Sequence, residues 1–209
     1  MAEIVFYTNP MSRGRIVRWM LEEVGQPYRT ELLDYGTTMK APEYLAINPM
    51  GKVPAITHGD AVVTEGAAIC AYLADAFPDA GLKPAPGTPE AAAYYRWLFF
   101  AAGPVEAAVT NKSMGWEVPD DKKMMAGYGN FDDVMAALEY ALSKSDYVAG
   151  DRFTAADVYF GSQIGWGMMF GSIDKRPVFE AYWQRLQARP ALARAGQIDD
   201  ALIPAQPAG

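Results

Sequence analysis

The chain has 209 residues, 51% of them hydrophobic, and a formal net charge of −7 at pH 7. This length allows one or two domains with a substantial core, and the acidic balance argues against nucleic acid, since phosphate contacts need a basic face. A single cysteine and a single histidine exclude an internal disulfide framework and give no zinc site. No segment reaches the roughly 18 apolar residues of a membrane span, and no signal peptide is visible, so we expect a cytoplasmic protein without membrane association.

The first 80 residues predict an α/β domain. Strands are predicted at Ile4–Tyr7 and Tyr28–Leu33, and between them apolar residues recur at helical spacing as far as Gly25. A strand–helix–strand order favours parallel pairing of the two strands. Pro42–Ile47 then predicts one or two helical turns.

A hairpin and a helix complete this domain. The short apolar runs Val53–Thr57 and Ala61–Thr64 flank a Gly-Asp turn, which is typical of a β-hairpin. The helix predicted next runs from Gly66 to Phe77. The resulting order βαβαββα predicts a four-stranded mixed sheet with helices on its faces.

The second half predicts helices only, so the fold class is α/β followed by all-α. A segment rich in proline and glycine at 81–87 indicates a linker between domains 1–80 and 88–209. A capping-box pattern, Thr154 to Asp157, opens the most apolar helix. The tail from Pro204 is expected to be loose. The predicted helices are Pro89 to about Thr110 with a kink at Gly103-Pro104, Asn130 to about Leu142, Ala155–Phe170, Pro177–Arg189 and Ala191–Ala201.

The hairpin and the helix after it predict a binding socket. Pro54 removes a donor from the ladder and makes Val53 extended, so the backbone of Val53 is available to a ligand. Gly66 stands at a helix N-terminus, where unpaired N–H groups suit a carboxylate. The pattern therefore indicates a site for a small peptide with a free carboxylate.

Four segments of the chain resemble the cytosolic glutathione transferase family. They are Asn48–Ile56, Thr64–Leu73, Phe153–Val158 and Arg189–Ala191, and their order and spacing make the resemblance specific. It implies a thioredoxin-like N-terminal domain, an all-helical C-terminal domain, a cytoplasmic homodimer with a role in detoxification, and glutathione as substrate without a metal. It also implies a cis peptide bond before Pro54.

The resemblance assigns the glutathione contacts. The backbone of Val53, beside Pro54, is implied to pair with the cysteinyl unit, and Glu65 to hold the γ-glutamyl ammonium. Gly66 stands where the family usually has serine, so only its N–H remains for the γ-glutamyl carboxylate. The missing hydrogen bond is worth about 1.5–3 kcal/mol. The candidates for the glycyl carboxylate are Lys40 and Lys52.

Three arginines cluster at the start of the first predicted helix. Arg13 and Arg15 lie nearer the expected ligand and are predicted to steer an anion. Arg18 is expected on a solvated helix face, paired with Glu22 at i,i+4.

Glutathione chemistry needs a thiolate, and an unperturbed cysteine thiol has a pKa of about 8.5. A hydroxyl donor and a helix N-terminus both favour the anion. Ser12, at the start of the first helix, is the preferred donor, although serine there can also be a plain N-cap. Tyr7 is the second candidate, with core packing as the alternative, and Asn9 is a weaker third.

An apolar pocket for the second substrate is expected from five residues, each of which can equally be core. These are Met11, Phe100, Met114, Trp116 and Trp166. Cys70 is expected to be a buried structural thiol, and His58 a surface residue near the hairpin turn.

The predicted function is transfer of the glutathione thiol to a hydrophobic electrophile. Two alternatives remain open: a glutathione-dependent peroxidase, reductase or isomerase, and a non-catalytic glutathione-binding or scaffold protein. The absence of serine at Gly66 favours the second alternative.

Overall fold

The computed structural model describes residues 2–203, which form two compact units. The first contains the chain up to Ala80 and again from Ala188, and the second is Gly81–Gln187. The last helix therefore packs with the first unit, while the boundary at 81–87 stays a prediction. The tail from Pro204 lies outside the described residues.

The first unit contains a four-stranded mixed sheet in the order β2-β1-β3-β4. β1 pairs parallel with β2 and antiparallel with β3, which pairs antiparallel with β4. This confirms the predicted βαβαββα order and the fold class. The strands are β1 (Ile4–Thr8), β2 (Tyr28–Leu32), β3 (Ala55–His58) and β4 (Ala61–Thr64).

Helices surround this sheet and build the second unit. Short 3-10 turns lie at Thr38–Lys40, Pro78–Ala80 and Asp120–Lys122. The α-helices, in chain order, are α1 (Gly14–Val24), α2 (Pro42–Leu45), α3 (Gly66–Ala76), α4 (Pro89–Phe100), α5 (Glu106–Ser113), α6 (Phe131–Leu142), α7 (Ala155–Phe170), α8 (Pro177–Gln187) and α9 (Pro190–Ala201).

The core of the first unit is centred on β1. Ile4, Val5 and Phe6 are all buried, as expected for a central strand covered on both faces. α1 and α3 contribute apolar residues at helical spacing, among them Ile16 and Leu73. This rigid core fixes the carboxyl end of β1, from which the chain turns into α1.

Arg18 shows that one sequence prediction was wrong. Its side chain is 1% exposed and its Nε donates to Asp199 Oδ1 of α9 at 2.7 Å. Arg18 also donates to the hydroxyls of Tyr28 and Thr30 at 3.2 and 3.0 Å, while Glu22 accepts from Tyr28 instead. α9 covers the face of α1 that the local pattern predicts to be solvated.

The second unit confirms the predicted kink and the capping box. A π-helical segment, Ala101–Val105, separates α4 from α5 and contains Pro104, as expected where proline interrupts the helical ladder. At the start of α7, Asp157 accepts from Thr154 N and also from Val148 N and the Tyr182 hydroxyl at 2.9 and 2.8 Å. Burial raises the pKa of Asp157 to about 6, against the opposing effect of these hydrogen bonds.

Candidate functional site

The turn between β1 and α1 holds two of the predicted catalytic residues. Ser12 Oγ donates to the Asn9 carbonyl at 2.7 Å and accepts from Gly14 N at 2.9 Å. The Asn9 side chain accepts from Met11 N and donates to the Leu33 carbonyl, both at 2.9 Å. The Ser12 hydroxyl therefore donates its hydrogen bond to a backbone carbonyl, and it must rotate to donate to a bound sulfur.

Gly14 allows this turn to lie against the end of β1. A Cβ atom at Gly14 would stand 1.9 Å from Thr8 Oγ1, and Thr8 is fully buried. Any larger residue at this position would force the Thr8 side chain or the turn to shift. Sequence reasoning missed this role, because the clash is with a residue in the preceding strand and leaves no local pattern.

Tyr7 combines a packed ring with an unpaired hydroxyl. The ring centroid lies 5.7 Å from that of Tyr44, in an apolar cluster that also contains Met39, Ala55 and Val53. Within residues 2–203 the Tyr7 hydroxyl has no hydrogen-bond partner. The ring thus behaves as core while the hydroxyl stays available as a donor.

The edge of the sheet beside β3 carries the predicted peptide socket. The Val53-Pro54 bond is cis, as the resemblance implies. The β3 ladder begins at Ala55, and in the described part of the chain Val53 has no backbone hydrogen bond. Both polar backbone groups of Val53 are therefore available to a ligand.

A small hydrogen-bond network holds the chain that leads to this edge. The Lys52 carbonyl accepts from the Tyr44 hydroxyl at 2.5 Å and from Asn48 Nδ2 at 2.8 Å. Desolvation raises the pKa of Tyr44 to about 12, so the hydroxyl stays a donor. Gly51 has a φ of 56°, and a Cβ there would lie 2.6 Å from the Met39 carbonyl. These supporting contacts were also missed, although Asn48 and Gly51 belong to the motif that carries the resemblance.

The start of α3 presents free backbone donors beside an acidic side chain. Glu65 precedes the helix with a φ of 66° and a ψ of 116°, and no side chain caps the helix. The first intrahelical bond runs from Ile69 N to the Glu65 carbonyl, so in the described structure the N–H groups of Gly66, Ala67 and Ala68 are unpaired. Such an N-terminus attracts an anion.

The predicted cations lie on the surface of the first unit. Lys40 Nζ donates to the Met50 carbonyl at 2.9 Å, and both Lys40 and Lys52 are exposed near the Gly51 turn. Arg13 is exposed at the start of α1.

The residues predicted for a second-substrate pocket are distributed over both units. Met11, in the first unit, is 68% exposed, and Met114 and Trp116, which follow α5, are 57% and 62% exposed. Phe100 at the end of α4 and Trp166 on α7 are half-buried. The exposure of Met11, Met114 and Trp116 argues against core packing for these three, and the pocket stays a prediction.

Other chemistry-bearing residues lie elsewhere. Cys70 is fully buried, and desolvation raises the pKa of its thiol, which makes it a poor nucleophile. His58 Nδ1 lies 3.0 Å from the Tyr72 hydroxyl. Among residues 2–203 there is no cluster of three or more metal-ligating side chains, and no helix in that range is both long and apolar enough to cross a bilayer.

Comparison with known proteins identifies the family. The sequence profiles of the glutathione S-transferase N-terminal and C-terminal domains match residues 11–76 and 112–190. Glutathione S-transferase A of Pleuronectes platessa is 30% identical over 183 residues, which is 83% of this chain and 81% of that protein. The chain belongs to the glutathione S-transferase family.

Solved glutathione transferases have the same fold. The crystal structure of a glutathione transferase from Methylococcus capsulatus matches with a TM-score of 0.77 and 32% identity, covering 96% of this chain and all of that one. A sphingomonad glutathione S-transferase, solved in complex with glutathione, matches with a TM-score of 0.74 and 28% identity over 94% of this chain and 98% of that chain. These matches confirm the family resemblance, and the protein is a glutathione transferase.

Proposed function

We propose that this glutathione transferase binds glutathione along the Val53 edge and the start of α3, and activates its thiol at the start of α1. The observation that carries the proposal is that one unit contains two backbone sites whose hydrogen-bonding groups are unused. One is the Val53 backbone, which no hydrogen bond within residues 2–203 engages. The other is the uncapped N-terminus of α3. A short peptide with a terminal carboxylate satisfies both.

The proposed contacts follow the chemistry of the tripeptide. The cysteinyl backbone pairs with Val53 in antiparallel fashion, and the carboxylate of Glu65 accepts from the γ-glutamyl ammonium. The γ-glutamyl carboxylate lies on the N–H groups of Gly66 and Ala67, where the helix dipole adds about 0.3–1 kcal/mol. The glycyl carboxylate faces Lys40 and Lys52, and Arg13 adds positive potential near α1.

The proposed chemistry is nucleophilic attack by a thiolate. The glutathione thiol releases its proton to water, the sulfur attacks an electrophilic carbon, and the leaving group departs with the bonding electrons. The Ser12 hydroxyl turns from the Asn9 carbonyl to the sulfur, and that carbonyl keeps the Ser12 N–H at 3.1 Å. The protein thus contributes orientation and electrostatic stabilisation. The second substrate is proposed to be an apolar electrophile.

The role of Ser12 is tested with Ser12→Ala and Tyr7→Phe, using an aryl halide and the pH dependence of kcat/KM. We expect Ser12→Ala to raise the apparent pKa of the bound thiol and to lower turnover near neutral pH by about 100-fold, as loss of one pre-oriented donor does. A profile unchanged in Ser12→Ala but shifted in Tyr7→Phe assigns the role to Tyr7. If both are unchanged, Asn9→Ala is the remaining variant.

Gly66 favours a second candidate, a glutathione-binding protein without turnover, because it lacks the serine hydroxyl. Calorimetry with glutathione and conjugation assays with several electrophiles separate the candidates. Binding without conjugation supports the scaffold, and the absence of binding heat at millimolar glutathione contradicts both candidates. We expect Gly66→Ser to strengthen glutathione binding about tenfold or more, the value of one hydrogen bond to a charged group.

A peroxidase or reductase activity is tested with a hydroperoxide and a mixed disulfide in place of the aryl halide.

A cytoplasmic homodimer is part of the proposal. Tyr95 and Phe99 lie one turn apart on α4 and are 41% and 69% exposed, and a second copy would cover them. Sedimentation of Phe99→Glu against the parent protein tests this: we expect the mass to fall towards that of one chain.

A further inference from the structure

We propose that Arg15 is a positioning residue that fixes the turn between β1 and α1, residues 9–13, to the C-terminal helix α9. The inference rests on the proposed function, since it concerns the turn that carries the thiol-activating donor. Arg15 does not touch glutathione in this proposal. It acts through Pro10 and Ser12.

Arg15 makes two short contacts, one with the turn and one with α9. Its Nε donates to the Pro10 carbonyl at 2.6 Å, and its Nη2 donates to Asp200 Oδ1 at 2.6 Å. The Arg15 side chain is 28% exposed, and the planar guanidinium holds its two acceptors in a fixed relation. Proline has no N–H group, so its carbonyl is the only backbone polar group by which residue 10 can be held.

The anchor on α9 is itself rigid. Asp199, next to Asp200, forms the buried pair with Arg18, and both of those side chains are 1% exposed. Arg15 and Arg18 lie one turn apart on the same face of α1. They form ion pairs with two successive acidic residues of α9. Removing the Arg15 contact therefore removes one restraint on the turn but leaves α9 in place.

The turn is also joined to the segment after β2. The Asn9 amide donates to the Leu33 carbonyl at 2.9 Å, and the Tyr35 hydroxyl donates to the Met11 carbonyl at 3.5 Å. The Asn9 carbonyl accepts from both Ser12 N and Ser12 Oγ, so a shift of Pro10 moves the oxygen that orients the Ser12 hydroxyl. Loss of the Arg15 contact should impair thiol activation more than glutathione binding, because the binding groups lie at Val53 and the start of α3.

Asp200→Asn gives the sharpest test, because two explanations predict opposite signs. Removing a negative charge near the site would by itself lower the apparent pKa of the bound thiol. Positioning predicts the reverse: the pKa rises, and kcat at pH 6.5 falls several-fold while the KM for glutathione changes less. Arg15→Leu should show a larger effect in the same direction, roughly tenfold in kcat, and Arg15→Lys an intermediate one.

The matched control is Asp146→Asn. Asp146 pairs with Arg185 at 2.8 Å, and the two side chains are 68% and 36% exposed, close to the 67% and 28% of Asp200 and Arg15. We expect the control to leave the thiol pKa and kcat unchanged. An Asp200→Asn thiol pKa that falls or stays constant overturns the proposal.

Hydrogen exchange tests positioning without turnover. In the free protein, Arg15→Leu should accelerate amide exchange in the segment 9–14. If the variant exchanges there at the same rate as the parent protein, the inference is overturned, even if the enzyme is active. If the parent protein itself conjugates nothing, the proposed function fails, and the exchange rates still decide the role of Arg15.

Discussion

Glu65 holds a backbone conformation that side chains rarely adopt. Among residues 2–203 it is the one non-glycine residue with a positive φ, 66°. Such a conformation costs about 1–3 kcal/mol and persists only when its surroundings enforce it. The Glu65 side chain is exposed and makes no capping hydrogen bond, so it does not offset this cost in the free protein. We therefore expect the Glu65 carboxylate to act on a ligand and not to stabilise the fold.

Glu65→Gly and Glu65→Ala separate strain from binding. Both remove the carboxylate, so we expect both to weaken glutathione binding about tenfold or more, as loss of a charged partner does. Only glycine relaxes the backbone, so Glu65→Gly should exceed Glu65→Ala in free energy of unfolding by about 1 kcal/mol or more. Calorimetry and urea denaturation measure the two effects. Equal stabilities would show that the conformation is not strained.

Single residues also show where sequence reasoning ends. The resemblance assigned Val53 and Glu65 to sites at which the structure has an unpaired backbone and an uncapped helix. It also assigned Ser12 as a donor, but the proton of that hydroxyl is committed to the Asn9 carbonyl, a detail that depends on rotamers. Arg18 was misplaced because local charge spacing carries no information about a helix that packs on it from the far end of the chain.

At the scale of elements, sequence signals located helices well. Gly25 ends α1 in the left-handed conformation, and Asn130 caps α6, each as its residue type predicts. The first hairpin strand begins at Ala55 and not at the predicted Val53, because proline cannot donate to the ladder. None of these local signals indicates which elements pack together. Only the structure shows that α9 packs on α1.

The Arg18–Asp199 pair is predicted to link α1 to α9 in a way that depends on both partners. Arg18→Met leaves Asp199 buried without its counter-ion, and we expect a loss of about 3–5 kcal/mol in the free energy of unfolding. The double variant Arg18→Met, Asp199→Leu removes both charges and should recover most of that loss. Urea denaturation of the two single variants and the double variant gives the coupling energy. Additive losses would contradict a direct pair.

At the scale of the whole molecule, the proposed site is built from segments far apart in sequence. The turn before α1, the Val53 edge and the start of α3 all lie in the unit that α9 rejoins after the second unit. Arg15 and Asp200 are separated by 185 positions, and no periodicity links them. The sequence thus predicts the elements and, through family resemblance, the ligand, while the cross-chain supports of the site depend on tertiary packing.

Stability of the whole molecule should depend on pH through Asp157. Its pKa is raised from 3.8 to about 6 by burial, so between those values the folded state binds more protons than the unfolded chain. The free energy of unfolding contributed by this group therefore falls as pH rises from about 4 to 6, by up to about 3 kcal/mol, and is constant above.

Asp157→Asn removes this titration while keeping the shape of the side chain. The variant should be less stable at every pH, because an amide cannot accept all the hydrogen bonds that Val148, Thr154 and Tyr182 donate. Its deficit relative to the parent protein should grow as pH falls from about 6 to 4, since only the parent gains stability there. Urea denaturation at closely spaced pH values measures the difference, with Asp146→Asn as an exposed carboxylate control. A deficit that shrinks towards pH 4 would mean that the hydrogen bonds outweigh burial, and that Asp157 stays ionised in the folded protein.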